Sequence, residues 1–411
     1  MCFLNFLIDI LDLLLPILFF SAIAIQLVYI LFIFTKLIYH DDFSTDLPNQ
    51  SLPGVSIIVA AFNELGNLKE LIPLLAKQDY PSFEILIADD RSSDGTYDYL
   101  LNNEEKLKNL SFVRILDLPQ HFTAKKYAVT MAIKKSKNNL LLFTDADCRP
   151  ESDQWIKQMV CQLSTGKQIV LGFSKYSFNK GRLNSLIRYE TFQTALQYFS
   201  FALAKMPYMG VGRNLMYEKS LFWKNNGFVR HQGLLSGDDD LFINEVATKE
   251  NVAICIEKDG QTNSMPKTTW EEWFVQKRRH LSVGKRYKLK DKFNLGLLWF
   301  SQLLSWFMFI PVIFIKPDWF VAPDWSRIPN DFLRQYHLAH WYPFNDWMRL
   351  IIGILLFWIC TKWLILGKAN NKLSKTINNW KIPYHDFLYA IYLIIFGVIT
   401  IFSNPKKIKW K

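Results

Sequence analysis

The sequence has little cysteine, and its cysteines are scattered. Five occur among the 411 residues, with no paired spacing: Cys2, Cys148, Cys161, Cys255 and Cys360. This pattern argues against a zinc site or a disulfide framework, and it favours a reducing compartment. The chain also lacks any recognisable nucleic-acid-binding motif, so we expect no nucleic acid among its partners. Its formal net charge of +11 favours a membrane surface or a phosphorylated substrate instead.

Long apolar segments are present although the mean hydropathy is only +0.05. Residues 13–35 carry no charged side chain. At 1.5 Å per residue this run is long enough to cross a hydrocarbon core of about 30 Å. It is too long for a signal peptide, and no basic residues precede it. Acidic residues lie before the run and Lys36 lies after it, so the positive-inside rule places the following domain in the cytoplasm.

Three further apolar segments occur near the C-terminus. Residues 293–315 are uncharged and predict a second span, whose Ser301, Gln302 and Ser305 are expected to face another helix. Residues 350–366 predict a third span, with Lys362 snorkelling to the interface. Residues 387–402 reach only about 24 Å, and a crossing there would place a basic tail outside. The number of C-terminal spans, two or three, is therefore left open.

The segment between the predicted second and third spans, residues 316–349, is rich in Trp and Pro. We expect an ordered segment at the outer membrane interface, with no assigned role. The resulting domain prediction is an N-terminal transmembrane helix at 1–36, an α/β domain at 53–265, an amphipathic helix at 266–292 and a C-terminal membrane region at 293–411.

The α/β prediction follows from alternating strand and helix patterns. Strands are predicted at 55–61, 83–88, 112–116 and 140–143, and helices at 64–78, 93–106 and 123–136. This alternation predicts a mostly parallel sheet with helices on both faces. Ligands of such sheets bind outside the carboxyl ends of the strands, so residues that follow the strands are the candidates for chemistry.

Two acids follow the fourth predicted strand directly. Asp145 and Asp147 alternate, and alternate residues of an extended chain point the same way. Two converging carboxylates are costly unless a cation lies between them. A Mg²⁺ or Mn²⁺ ion bound to a substrate diphosphate would meet that need. The alternative is a solvated turn that caps the next helix.

Polar residues also follow the first two strands. Asn63 and Glu64 come after the first strand, and Asp89 and Asp90 come after the second. Adjacent carboxylates at this position need hydrogen-bond donors, such as a nucleobase imide or ribose hydroxyls. Lys125 lies near a helix start, where the macrodipole does not favour a cation. Its position suggests contact with an anion, the alternative being an ordinary solvated lysine.

A basic amphipathic helix is predicted after the α/β domain. Residues 267–292 contain nine Lys or Arg and three acids. Gln276, Arg279 and His280 share one helical face, and an arginine there can hold a diphosphate bidentately. We expect this helix at the cytoplasmic membrane face. The alternative is an ordinary positive flank of the next span.

Several of these segments together resemble family 2 glycosyltransferases with the GT-A fold. The segments are Asn63-Glu64, DDRSSDGT, AKKYAV, FTDAD, GVGRNLMY at 210–217 and LSGDDDL at 235–241. Residues 276–280, QKRRH, are similar to the Gln-x-x-Arg-Trp motif of membrane-bound processive members, the cellulose, chitin and hyaluronan synthases. The sequence departs from the family pattern at His280, where Trp is usual, and at Ala124, where Gly is usual.

The resemblance implies an inverting transfer of a sugar from a nucleoside diphosphate sugar, a UDP-sugar being the first choice, to a hydroxyl. It implies Asp145 and Asp147 as metal ligands and Asp239 as the catalytic base. A helix N-terminus is the alternative for the acid run at 238–240. The substrate-binding residues it implies are Asn63, Glu64, Asp89, Asp90, Lys125, Asp145, Arg213, Asp238, Gln276, Arg279 and His280.

For the whole chain we expect a multi-pass protein of the inner (cell) membrane whose catalytic domain is cytoplasmic. Three spans are few for a polysaccharide channel, so a lipid-linked or glycan acceptor near the membrane is preferred. The motif at 276–280 argues in the opposite direction, and processive synthesis stays open. A non-catalytic, membrane-tethered nucleotide-sugar binding protein is the alternative from another class.

Overall fold

The computed structural model of the protein describes residues 2–42, 52–163, 166–315, 320 and 346–402. Helix α1, Cys2–Val28, continues through a π-helical stretch, Tyr29–Phe34, into α2, Thr35–Ile38. The part Ile10–Ile38 is long and apolar enough to cross a membrane. The helix predicted from the uncharged run at 13–35 is therefore confirmed.

The α/β domain contains two sheets. Its strands are β1 Val55–Ala61, β2 Phe83–Asp90, β3 Leu110–Ile115, β4 Leu140–Phe143, β5 Cys148–Pro150, β6 Ile169–Gly172, β7 Ser174–Tyr176, β8 Leu215–Glu218, β9 Val252–Cys255 and β10 Thr262–Ser264. The larger sheet has the order β3-β2-β1-β4-β8-β6-β9, and the smaller one β5-β10-β7. In the larger sheet, β8 is antiparallel to both neighbours and every other pair is parallel. The predicted mostly parallel sheet is confirmed.

Helices cover both faces of the larger sheet because its strands are apolar on both sides. The helices are α3 Leu65–Ala76, α4 Thr96–Glu104, α5 Ala124–Lys135, α6 Trp155–Cys161, α7 Arg182–Leu203, α8 Lys219–Lys224, α9 Asp240–Val246 and α10 Trp270–Leu281. In β1, Ile57 and Val59 belong to one hydrophobic cluster with Leu71 of α3. Ile58 points to the opposite cluster, with Ala132 of α5.

The C-terminal part is helical: α11 Leu289–Phe307, α12 Phe309–Phe314, α13 Asp346–Lys372 and α14 Ile382–Phe402. With the N-terminal helix, the described residues provide four candidate membrane spans. Helix α14 begins before the predicted 387–402, and its 21 residues reach about 31 Å. Trp347 lies within α13, not in the predicted loop, and Phe320 packs on its ring. The rest of that loop up to residue 345, and the basic tail after 402, lie outside the described residues.

The snorkelling prediction for Lys362 is wrong. Its side chain is buried, and its ammonium group lies 2.8 Å from a carboxylate oxygen of Asp386 in α14. Tyr189, Gln302 and Trp306 also donate hydrogen bonds to Asp386. A lysine inside an apolar segment remains buried where an acid compensates its charge, and here α14 supplies that acid.

The α/β domain and the membrane helices are joined by direct contacts. Helix α7 packs on α14, on α2 and on the π-helical stretch. Asp42, just after α2, accepts hydrogen bonds from the backbone N–H groups of Ile256 and Glu257. In α11, Ser301 bonds to Gln26 of α1, which confirms the predicted helix–helix contact.

Candidate active site

Asp145 and Asp147 lie at a turn that follows β4. The strand ends at Phe143, and the N–H of Cys148 donates to the carbonyl of Asp145 at 3.0 Å. The extended geometry predicted for Asp145 and Asp147 is therefore wrong, although their charges still interact. Burial and then the charge of Asp145 raise the pKa of Asp147. The pair thus carries negative charge that a bound cation would offset.

Lys125 connects this turn to the acid run before α9. Its ammonium group lies 3.0 Å from both Asp145 and Asp238. Burial opposes the charged form, yet the nearby carboxylates hold the pKa of Lys125 well above its usual value. The anion contact predicted for Lys125 is made here with carboxylates of the protein itself.

Asp239 is held by two backbone donors. Its Oδ1 accepts from the N–H of Asp240 at 2.8 Å, as a cap of α9, and its Oδ2 accepts from the N–H of Gly212 at 2.7 Å. Burial and the charge of Asp238 raise its pKa. Asp240 bonds instead to the N–H of Leu241 and to the hydroxyl of Tyr287. The capping role is therefore present, and it is compatible with a role for Asp239 as a base.

One pocket brings these groups together. Asp145, Asp238, Asp239, Lys125 and Gly212 line a cavity of about 20 Å³, which has room for one water-sized group. Its remaining walls are mainly apolar side chains of β1, β4, α5 and β8. The metal candidate Asp145 and the base candidate Asp239 therefore face the same small space.

Lys126 is a residue that sequence reasoning missed. It is only 1% exposed, and its ammonium group donates to the carbonyls of His231, Leu234 and Ser236 at 2.7, 2.9 and 2.7 Å. These carbonyls belong to the segment that leads into the acid run. A signal was available, because position 126 continues the buried stripe of α5 that includes Val129.

The loops after β1 and β2 are bonded to one another. The side-chain oxygen of Asn63 accepts from the N–H of Ser93, and Asp94 accepts from the N–H of Leu65. Asn63 and Arg91 have φ values of 55° and 58°, so both loops turn sharply at residues other than glycine.

The predicted nucleoside-binding acids differ in their contacts. Asp90 pairs with Arg91 at 2.8 Å, and Glu64 accepts from Asn67. Asp89 is fully buried, and its Oδ2 has no hydrogen-bond partner among the residues that the structure describes. One carboxylate oxygen of Asp89 is therefore a buried acceptor without a donor among these residues.

Arg213 lies close to the acids after β4. Its guanidinium stands 4.3 Å from the ring centre of Tyr176. Its positive charge opposes the rise in the pKa of Asp147. Its Nη1 is buried and has no hydrogen-bond partner in the described part of the chain. The side chain thus offers a positive group near the turn, and its predicted role in substrate binding stays a prediction.

Helix α10 contacts α7 of the α/β domain and α14 of the membrane region. Lys277 forms a buried ion pair with Glu190 of α7, and Trp273 packs on Phe396 of α14. The apolar face of α10 is thus covered by α14. A ring nitrogen of His280 lies 3.4 Å from a guanidinium nitrogen of Arg279.

His280 lies within reach of the charges of the site. Desolvation and neighbouring positive charges, those of Arg213 and Lys125 among them, hold the pKa of His280 well below its usual value. Gln276 lies one helical turn before His280 on the same face. The charges of Arg213 and Lys125 therefore act on the end of α10.

The donor set fits a hard divalent cation shared with a ligand. Within the described ranges, no group of three or more His, Cys, Asp or Glu side chains is placed to hold a metal. Asp145 and Asp147 supply carboxylate oxygens, which Mg²⁺ and Mn²⁺ prefer. Two protein carboxylates are the usual number where substrate phosphates complete the coordination.

Comparison with known proteins identifies the α/β domain. Residues 56–225 match the family model described as "Glycosyl transferase family 2". "Glycosyltransferase AglE" of Haloferax volcanii is 31% identical over 145 residues, 34% of this chain and 46% of the relative. "Putative teichuronic acid biosynthesis glycosyltransferase TuaG" of Bacillus subtilis is 26% identical over 125 residues, 30% of this chain and 47% of the relative. The match thus spans about half the length of these relatives.

A solved structure has a similar fold. It is a mannosyltransferase from Pyrobaculum calidifontis in complex with GDP-Man and Mn²⁺, with a TM-score of 0.54, 15% identity and coverage of 89% of this chain and 99% of that chain. The family match includes the loops after β1, β2 and β4, and it ends before the acid run at 238–240. Residues 56–225 of the α/β domain therefore match glycosyl transferase family 2, the fold is similar to that of the mannosyltransferase, and apolar helices lie on both sides of the domain.

Proposed function

We propose that this protein transfers a sugar from a nucleoside diphosphate sugar to an acceptor hydroxyl, with inversion at the anomeric carbon. The observation that carries the proposal is the shared pocket. Asp145, the candidate metal ligand, and Asp239, the candidate base, line one cavity and are connected through Lys125 and Asp238. Glycosyl transfer needs a stabilised leaving group and a base in one place.

The donor half of the site is assigned to the loops after β1, β2 and β4. Asp145 and Asp147 would hold Mg²⁺ or Mn²⁺, which when bound neutralises charge on the leaving diphosphate. Lys125 and Arg213 add positive charge beside these acids. The free carboxylate oxygen of Asp89 accepts from a nucleobase or ribose donor. A UDP-sugar is the first choice of donor.

Asp239 performs the proton transfer. Its two backbone contacts fix the carboxylate, and its raised pKa makes it a stronger base than an ordinary aspartate. It takes the proton of the acceptor hydroxyl while that oxygen bonds to the anomeric carbon. The bond from the anomeric carbon to the diphosphate oxygen breaks on the opposite side, so the product is inverted.

The acceptor is proposed to be lipid-linked or a glycan at the cytoplasmic face of the inner membrane. Four candidate spans and the packing of α7 against the membrane helices support a site close to the bilayer. Processive synthesis is the second candidate. It is favoured by the end of α10, where the charge of Arg213 acts on His280. Product length separates the two, because single transfer adds one sugar and processive synthesis yields long chains.

The test uses the full chain in lipid nanodiscs with UDP-, GDP- and dTDP-sugars and native membrane lipids. Nucleotide release should depend on Mn²⁺ or Mg²⁺ and be lost with a chelator. Asp239→Asn should abolish it, while Asp259→Asn, which changes an exposed acid, should not. Donor binding without release in every preparation would instead support the non-catalytic alternative.

A further inference from the structure

A second pocket lies beside α9 and shares no lining residue with the active-site pocket. It measures about 170 Å³ and lies between two short 3₁₀ helices, Val229–His231 and Gly284–Arg286. Its lining residues are Arg230, His231, Leu241, Asn244, Glu245 and Arg286. The proposed reaction uses none of them.

His231 provides an unsatisfied polar group in this pocket. The side chain is only 4% exposed, and neither ring nitrogen has a hydrogen-bond partner in the part of the chain that the structure describes. The nearest acid oxygen, Oε1 of Glu245, is 3.8 Å from Nε2, which is too long for a hydrogen bond. Burial, with the positive charges of Lys126 and Arg286, lowers the pKa of His231 to about 4. The ring is therefore neutral at pH 7 and has one N–H to donate.

The charges of the lining favour an anion. Arg230 and Arg286 are exposed and form no ion pair with any described residue. Glu245 is the only acid among the lining residues, and its second oxygen accepts from Asn225 at 2.7 Å. The side chain of Asn244 is already bonded to Asp291 and other groups, so the free donors are the two guanidinium groups and the imidazole.

We propose that this pocket binds a phosphate group. Two guanidinium groups from separate segments match the several oxygens of phosphate, and the imidazole adds a third donor. Arg286 lies three residues before α11, the start of a candidate span, so a phospholipid headgroup or lipid-linked phosphate can reach the site as readily as free phosphate.

Occupancy of this pocket would act on the active site through one lysine. The carbonyl of His231 accepts from Lys126 at 2.7 Å, and Lys126 also holds the carbonyls of Leu234 and Ser236. This segment leads to Asp238 and Asp239. A phosphate that fixes His231 would therefore also fix the segment that carries the candidate base.

The test measures binding of inorganic phosphate to the full chain in phosphatidylcholine nanodiscs, at constant ionic strength with chloride as the balancing anion. Phosphate should raise the Tm saturably. Arg230→Ala/Arg286→Ala should weaken the apparent affinity at least about tenfold, as expected for loss of two charged contacts. The control Lys224→Ala/Lys249→Ala removes two exposed charges elsewhere and should leave it unchanged.

His231→Leu provides a second variant, because it removes the ring nitrogens without breaking a described hydrogen bond. It should also weaken phosphate binding. An equal Tm rise in wild type and in the double arginine variant would overturn the proposal, as would an equal effect of chloride. No sugar donor is present, so the outcome is independent of the proposed glycosyl transfer.

Nanodiscs that contain phosphatidic acid distinguish the source of the phosphate. If the headgroup occupies the pocket, this lipid should lower the apparent affinity for free phosphate in wild type but not in the double arginine variant. If only soluble phosphate enters, lipid composition should leave the affinity unchanged. Either result supports a phosphate site, provided that binding depends on Arg230 and Arg286.

Discussion

The ion pair between Lys362 and Asp386 should be sensitive to which partner is removed. Asp386 accepts from Lys362 at 2.8 Å, from Trp306 at 2.9 Å and from Tyr189 at 3.0 Å. Among the described residues Lys362 has a single carboxylate partner, and its ammonium group lies 5.2 Å from the ring centre of Trp358. Removing Lys362 leaves the carboxylate with neutral donors, whereas removing the charge of Asp386 leaves a buried ammonium group without an acid.

The magnitudes follow from that asymmetry. Asp386→Asn should reduce the free energy of unfolding by about 3–5 kcal/mol, the usual cost of leaving a buried charge unpaired. Lys362→Met should cost about 1–3 kcal/mol, since a charged hydrogen bond is lost but other donors remain. The double variant should be more stable than the sum of the two losses by about 1–3 kcal/mol, because it removes the isolated charge.

The assay is reversible unfolding of the full chain in mixed detergent micelles, with the four proteins of the cycle measured together. Lys368→Met is the matched control, since Lys368 lies on the same helix and is exposed. It should change the free energy of unfolding by less than about 0.5 kcal/mol. Equal losses for the two single variants, or an additive double variant, would refute the reasoning.

Three further predictions concern the active site. The value of kcat/KM should fall as the pH drops through the raised pKa of Asp239, because only the carboxylate can accept a proton. Asp238→Asn removes a like charge, so in a pH–rate profile the acidic limb should move to lower pH. Gly212→Ala would place a Cβ 3.2 Å from Oδ2 of Asp239. Steady-state kinetics should therefore show kcat reduced by about tenfold or more. Gly66→Ala, whose thermal stability is measured alongside, is the control for an added methyl group. Lys126→Met should lower kcat by about tenfold while the KM for the donor stays close to wild type. Lys126→Arg should restore part of the loss. An unchanged kcat would show that Lys126 does not position the base.

The sequence predicted the sheet where the pattern was purely apolar. The strand at 140–143 was placed at its observed bounds because four consecutive apolar residues are bounded by polar ones. The third strand was placed too late, because Ser111 and Arg114 interrupt its apolar pattern while backbone pairing with β2 begins at Leu110. Pairing with a neighbour is a long-range interaction, and local composition does not specify it.

Contacts between distant segments could not be predicted in the same way. The last apolar segment is predicted to begin at Phe387, whereas the helix also includes Asp386, an acid whose partner is Lys362 in another helix. The contacts of Lys126 are not predictable from the sequence, because its acceptors are backbone carbonyls about 105 to 110 residues away and every residue has a carbonyl. Asp145, by contrast, is predicted from its place after the fourth strand and Asp239 from the family resemblance, and the structure places both at one pocket.

The packing of α7 has a practical consequence for anyone who wishes to prepare the catalytic part alone. Phe199 of this helix belongs to the same apolar cluster as Phe19 of α1 and Phe396 of α14. A fragment of residues 53–265 would lack both α1 and α14 and would expose apolar surface of this cluster to water, which promotes aggregation. The folded protein is thus expected to require a bilayer or detergent, and purification strategies should retain the whole chain.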